Sequence, residues 1–490
     1  MTAVVLLLAC TGFYVGRDAS SNGATLLGRT VDIPPYTACF RVVARPGNAE
    51  AGGGYVCTPA VSAVGLGEFA SAGVNRRGVA VTGTVTGYTA PEARASDPFV
   101  KSGCAEKWTP GWLMARATSA RNAVELLGRL IAEKGNKQPN VYMFADADEA
   151  WYVETYTGHE WAAVRMPQDK VAVWGNEFMI GEFDPSSPDS MSSPGIASMP
   201  EKAGFAVKGA LGLIDLFATY GRRRRDDAHF RTWWGSREWA KTPAGPYSLQ
   251  TECPLFFEPR KKVSTADVFE LMRARYEGTE WNPEETGRRD WRVIATEKQA
   301  TCHVIEVRRG LPAPLACTLW ACLANAEHSV FLPITSLARR THEDYERDWD
   351  APKTDWNWNP GLAGAHFRRL CALAEVDRKM YGRGVRAFWR PMEADSLSEW
   401  PSVLAQAAER LAVSTGDAES FMTADAIARE GSALSAAKAV FDELCWYICQ
   451  NNISMRFKPE QDTFTLKPIP PQREFVPSFR PPVGPPNHRP

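Results

Sequence analysis

Between residues 141 and 174 four strand-like runs (141–145, 150–155, 161–165 and 171–174) follow one another with only a few turn residues between them. Parallel neighbours need a crossover of a dozen or more residues, so connections this short make an antiparallel meander. Asp146-Ala-Asp-Glu149 and Thr157-Gly158 supply the turn chemistry. The chain opens in the same way: 12–16 and 24–32 flank a polar turn at 18–23 and read as a hairpin, and 78–85 reads as a further strand. Extended segments return at 302–307, 315–323 and 329–332.

Helical periodicity occupies 112–133, where Val124, Leu127, Leu130 and Ile131 share one face and Gly135 is a stop. Helices are also expected at 201–220, at 266–277 with Ser264 or Thr265 as cap and Gly278 as stop, and at 364–380, 398–413 and 424–449. Nine prolines between Pro468 and Pro490 deny that end regular structure and predict an extended or disordered tail.

With 490 residues, 44% of them hydrophobic, a large core is affordable. The 56 basic and 57 acidic side chains leave no net field to attract nucleic acid or an anionic membrane. The one basic run, 222–225, is followed at once by Asp226 and Asp227 and reads as a solvated end. Eleven cysteines are too sparse for a disulfide scaffold, and Cys317/Cys322 and Cys445/Cys449 lack zinc-finger partners, so no metal and no cofactor is expected. Gly52-Gly53-Gly54 lacks the Lys-Ser/Thr of a phosphate loop. No apolar run approaches the 18 or more residues of a membrane span.

Residues 1–9 are apolar and end in Ala9, like a cleavage region, yet lack a basic leader and the usual signal-peptide length. They are expected to be a short propeptide or the remnant of a signal peptide; the second places the protein outside the cytoplasm, secreted or periplasmic, and the first allows a cytoplasmic one. Cys10 then follows a small residue, opens a strand and precedes Thr11-Gly12. Alone, such a cysteine reads as a buried core thiol. Leu7-Leu8-Ala9-Cys10 also reads as a lipobox, which would make the chain a lipid-anchored, non-catalytic binding protein.

Longer tracts favour a different reading. The opening Cys10-Thr-Gly-Phe-Tyr-Val-Gly-Arg-Asp18 running on to Arg29-Thr-Val-Asp32, the segment Gly73-Val-Asn-Arg-Arg-Gly-Val-Ala80, and the block from Phe144 through Gly158-His-Glu-Trp161 to Asn176-Glu-Phe-Met-Ile-Gly-Glu-Phe-Asp184 resemble the dipeptidase A and secernin family of N-terminal-nucleophile peptidases. Tracts at 271–280 and 308–333 resemble its downstream sequence. The resemblance implies an α+β fold, a four-layer αββα sandwich of two antiparallel sheets, and removal of the leader to expose Cys10. It divides the chain into a leader at 1–9, a catalytic domain at 10–340, a mainly helical extension at 341–465 and the Pro-rich tail at 466–490.

It also implies a dipeptidase: Cys10 would attack the peptide carbonyl and its own α-amine would take the thiol proton. A free thiol titrates near 8.5 and an α-amino group near 7.7, so one residue supplies nucleophile and base. By the same resemblance Arg29 favours the thiolate, Asp32 lies close to Arg29 and accepts hydrogen bonds from the new amine, and Asn176 donates its amide to the oxyanion. Asn75, Thr84 and Arg292 are the positions left for substrate or oxyanion contacts, Thr84 standing where acylase relatives carry a second asparagine. His159, in a turn, is read as structural. Dipeptides are the expected partners, with a homo-oligomer possible, and a non-peptide amide acylase of penicillin V or bile-salt type is the alternative on the same core.

Overall fold

The computed structural model describes residues 10–32, 43–44, 54–58, 70–221, 224–288, 291–346, 360–451, 454–458, 463–467 and 474–481; the 1–9 leader lies outside them. In chain order the strands are β1 (Gly12–Val15), β2 (Thr25–Asp32), β3 (Val43–Ala44), β4 (Tyr55–Thr58), β5 (Ala72–Asn75), β6 (Ala80–Val85), β7 (Asn140–Ala145), β8 (Ala150–Thr155), β9 (Trp161–Arg165), β10 (Val171–Trp174), β11 (Glu182–Phe183), β12 (Ser190–Ser192), β13 (Ile214–Asp215), β14 (Gln299–Val307), β15 (Cys317–Leu323), β16 (Phe331–Thr335), β17 (Ser454–Lys458) and β18 (Thr463–Lys467). The six-stranded sheet runs β10-β1-β2-β14-β15-β16 and the eight-stranded sheet β12-β9-β8-β7-β6-β5-β4-β3, while β11 pairs with β13 and β17 with β18, and every pairing is antiparallel.

Successive side chains of a strand point to opposite faces, and here both faces are buried. In β2, Leu27 packs with Val74, Met143 and Tyr152 of the opposite sheet, whereas Leu26 packs with Trp234 and Val268 of helices on the outer side. In β7, Val141 and Met143 face the first sheet, and Tyr142 and Phe144 pack against Val124 and Leu127 of the Ala120–Lys134 helix. Three apolar interfaces between four layers define the αββα sandwich that the resemblance implied.

The strands of the meander stand where expected, to within a residue or two. Helix content differs more. The 112–133 segment is two helices, Thr109–Met114 and Ala120–Lys134, the second capped by Ser119 through the Asn122 N–H. The helix expected at 201–220 is reduced to two short pieces, Ser198–Lys202 and the π-helical turn Phe217–Gly221, because Gly204 and Gly212 take φ +78° and +76° and turn the chain toward β13. Ser264 forms a reciprocal capping box with Asp267 at the head of Thr265–Met272.

The helix Asp226–Trp239 was not expected. Every residue from Ala228 to Ser236 is buried, so it has no polar stripe to mark its period. It lies flat on β10, where a side chain at Gly235 would come within 2.2 Å of Val173.

Toward the C-terminus, Ala363–Val376, Arg383–Val413 and Thr415–Asn451 pack onto the sandwich. Trp400, Val403 and Met422 share an apolar cluster with Trp320 of β15, and buried Glu393 accepts Arg273 Nη1 at 2.9 Å and the Phe331 N–H at 2.9 Å. The tail reading differs over 474–481: this segment is extended, but Phe475 is buried and its N–H bonds to the Met380 carbonyl at 3.0 Å. The prolines forbid helix and strand here, but not docking through an aromatic side chain. Among the described residues no helix is long and apolar enough to cross a membrane.

Gly12 fixes the entry to β1. It pairs with Trp174, and a Cβ there would sit 2.3 Å from the Trp174 ring. Gly12→Ala is therefore expected to lose about 1–3 kcal/mol through overpacking, read from the urea midpoint at unchanged slope.

Candidate active site

Cys10 stands at the head of β1, 5% exposed, and its main chain is held on both sides. Its N–H donates to Asn176 Oδ1 at 2.8 Å. Its carbonyl accepts from Arg231 Nη1 at 2.5 Å. Arg231 also donates to Thr11 Oγ1 at 2.8 Å and, through Nη2, to Asn176 Oδ1 at 2.8 Å, while its Nε bonds the Asp227 carbonyl at 2.8 Å. Asn176 Nδ2 donates to the Val85 carbonyl at 2.8 Å. With two N–H donors on one side and a carbonyl on the other, only one orientation of this amide satisfies its neighbours.

Local sequence explains the convergence. The antiparallel pairing of β1 with β10 brings Gly12 opposite Trp174, so the turn after β10 delivers Asn176 beside Cys10. Arg231 comes from the buried helix lying on β10.

Arg29 and Asp32, expected as neighbours, have separate partners. Three residues apart on a strand, they project from opposite faces. Arg29 is paired across strands with His303, which reaches Thr82 Oγ1 of the other sheet at 3.0 Å, so it lies in the space between the sheets. There its Nη1 stands 3.0 Å from Glu106 Oε1, a pairing of charges without an aligned hydrogen bond, and both side chains are buried. Asp32 on the other face receives Arg292 Nη2 on Oδ2 at 3.0 Å. The expected bond between Asp32 and the Cys10 nitrogen is absent here: Asn176 holds that nitrogen.

Burial pushes the Cys10 thiol above its ordinary value. Arg29 pulls it back, the carboxylates of Glu106 and Asp32 push it further up, and a hydrogen bond with Thr84 lowers it. Burial likewise raises Asp32, against the pull of Arg292 and Arg231, and raises Glu106, against the pull of Arg29 and the Val85 N–H. Arg231 is lowered by burial and by the like charge of Arg292.

Thr84, at the end of β6, donates its hydroxyl to the Val85 carbonyl at 3.2 Å. Arg292 meets Asp32 rather than the Cys10 nitrogen. Asn75 is not part of the site: its Nδ2 donates to the carbonyls of Met114 and Ala117, and its Oδ1 accepts from the N–H groups of Arg77 and Val79. Its Oδ1 is used within the β5–β6 turn, and its Nδ2 ties that turn to the end of the Thr109–Met114 helix. Asn176 is brought beside Cys10, where its Nδ2 donates to the Val85 carbonyl. His159 bonds Asp97 through Nδ1 at 2.8 Å. Glu106 and Arg231 were missed: one lies in an irregular turn, the other in a helix without periodicity, and neither belongs to a local motif.

Two antiparallel sheets lie between helical layers, with a cysteine heading the first strand and its nitrogen and carbonyl both held. The chain belongs to peptidase family C69, whose model matches residues 49–359. It is 29% identical over 350 residues to a "Probable dipeptidase" of Salmonella dublin, covering 67% of this chain and 81% of that one. To a "Probable dipeptidase B" of Streptococcus pyogenes serotype M1 it is 25% identical over 384 residues (71% and 76%), and to a "Probable dipeptidase" of Latilactobacillus sakei 26% over 451 residues (86% and 92%).

Proposed function

We propose that this cysteine-type peptidase is a dipeptidase that works through Cys10 as an N-terminal nucleophile once residues 1–9 are removed. The observation that carries this reading is the grip on the Cys10 main chain, its nitrogen on Asn176 and its carbonyl on Arg231. The dipeptidase names of the relatives supply the substrate class.

While residues 1–9 remain attached, the Cys10 nitrogen is an amide whose lone pair is delocalised and cannot act as a base. Removal of the leader converts it to an amine beside a thiol that burial keeps protonated. The sulfur then attacks the dipeptide carbonyl as its proton passes to the amine. Arg29 stabilises the negative sulfur in the approach. The amine returns the proton to the departing amino acid as the C–N bond breaks, leaving a thioester. Water, deprotonated by the same amine, cleaves the thioester and restores the thiol. Asn176 and Arg231 hold the nucleophile rather than the substrate.

A lipid-anchored cysteine needs a tether, and Cys10 is buried and runs directly into β1. N-terminal sequencing of the matured protein should read Cys-Thr-Gly, with an intact mass lacking acyl chains. A dipeptide panel should be cleaved faster than penicillin V or a conjugated bile salt. A fully active chain retaining residues 1–9, or a preference for those amides, overturns the reading.

A further inference from the structure

The turn that carries Asn176 is fastened to the helix that carries Arg231 by side chains that do not touch Cys10. Gly175 donates its N–H to Thr232 Oγ1 at 3.0 Å, and the Thr232 hydroxyl donates to the Glu177 carboxylate. The same carboxylate meets His229 Nδ1 at 3.1 Å, and His229 Nε2 meets the Thr251 carbonyl at 2.9 Å. Glu177, His229 and Thr232 are all almost wholly buried. A Cβ at Gly175 would fall 2.3 Å from the Ala228 carbonyl oxygen, so the turn lies against the backbone of the helix with no room for a side chain.

The residue numbers explain the consequence. Gly175 and Glu177 flank Asn176, and His229 and Thr232 bracket Arg231. The bonds between the flanking residues therefore fix the two groups that hold the Cys10 nitrogen and carbonyl, and the Arg231–Asn176 bond closes the unit. A buried acid bonded at both oxygens resists rotation in a way that an apolar contact would not.

Resting on the reading of Cys10 as nucleophile, we propose that Glu177, His229 and Thr232 are positioning residues that lock Asn176 and Arg231 into one rigid cradle for the Cys10 main chain. They touch neither substrate nor the reacting atoms; their effect on the reaction passes through Asn176 and Arg231. A displacement of the nucleophile by about 1 Å costs about 100-fold in rate, which sets the scale of the effect.

The test uses matured full-length protein and a dipeptide that the wild type cleaves. Glu177→Gln keeps the shape of the side chain and removes its charge; kcat should fall about 10- to 100-fold with KM changed by less than about threefold, since substrate binding is untouched. Introduced into Arg231→Lys, where the cradle is already loosened, the same substitution should cost less than about a further threefold, because residues that act as one unit are non-additive. Thr232→Val, isosteric and without its hydroxyl, should lower kcat in the same way and keeps the test decisive where Glu177→Gln does not fold. Wild-type kcat in both variants, or an equal loss for Glu177→Gln in the wild-type and Arg231→Lys backgrounds, overturns the proposal. Activity surviving in Cys10→Ala would instead overturn the nucleophile reading on which it rests.

Discussion

Cys10→Ala is expected to abolish dipeptide hydrolysis, with kcat/KM falling by about 10,000-fold or more, while the sandwich still forms. The sulfur is the only nucleophile proposed, and no neighbouring group replaces it: Thr84 is a neutral hydroxyl, and Asn176 and Arg231 hold the main chain. Folding should survive because deleting one buried sulfur leaves the Cys10 main-chain bonds and the β1 pairing intact. The variant also reports on maturation. If the thiol cleaves its own leader, Cys10→Ala retains residues 1–9 and Cys10→Ser processes slowly; if another peptidase does so, both variants begin at position 10. Activity, intact mass and far-UV circular dichroism on the same preparations separate these outcomes, and an alanine variant as fast as the wild type defeats the proposed chemistry.

Much of the architecture could be read from the residues, because short strands with turn-forming connections admit few pairings. The meander from β7 to β10 and the opening hairpin were legible for this reason, and Ser264 marked a helix start by its reciprocal bond with Asp267. What could not be read depended on contacts between distant segments. The Arg29 and Asp32 pair was misjudged as adjacent because closeness in sequence was given more weight than the two-residue period of a strand. Arg231 was invisible because a helix buried all round carries no amphipathic signal, and Glu106 because nothing local announces a carboxylate that enters the space between two sheets. Asn75 shows the opposite error: it sits in a family-like tract, but its side chain is consumed in tying a turn to the end of a neighbouring helix. Residues that build a turn and residues that serve a site look alike in a motif until their hydrogen-bonding capacity is counted.

Arg29→Gln should damage both rate and stability, and the two effects can be separated. The guanidinium opposes the upward push of burial on the Cys10 thiol, so removing it makes the negative sulfur of the attack costlier and should lower kcat/KM by about 10-fold or more. The substitution also strands Glu106, buried with a counter-charge at 3.0 Å, and breaking a buried pair from one side costs about 3–5 kcal/mol. The sign of the pH dependence follows from Glu106: burial already raises its carboxyl, and loss of Arg29 raises it more. A carboxyl raised in the folded state is tolerated while protonated, so the penalty should be smallest below the ordinary carboxyl value of 4.5 and grow as pH rises through the folded-state value. Urea unfolding at acidic and neutral pH measures this directly. Adding Glu106→Gln to Arg29→Gln removes the stranded charge and should restore most of the stability, while kcat/KM recovers only in part, because Glu106 pushes the thiol up less than Arg29 pulls it down. That separation follows only if Arg29 acts on the sulfur; a double variant that regains the full wild-type kcat/KM would make the arginine a structural counter-ion and nothing more.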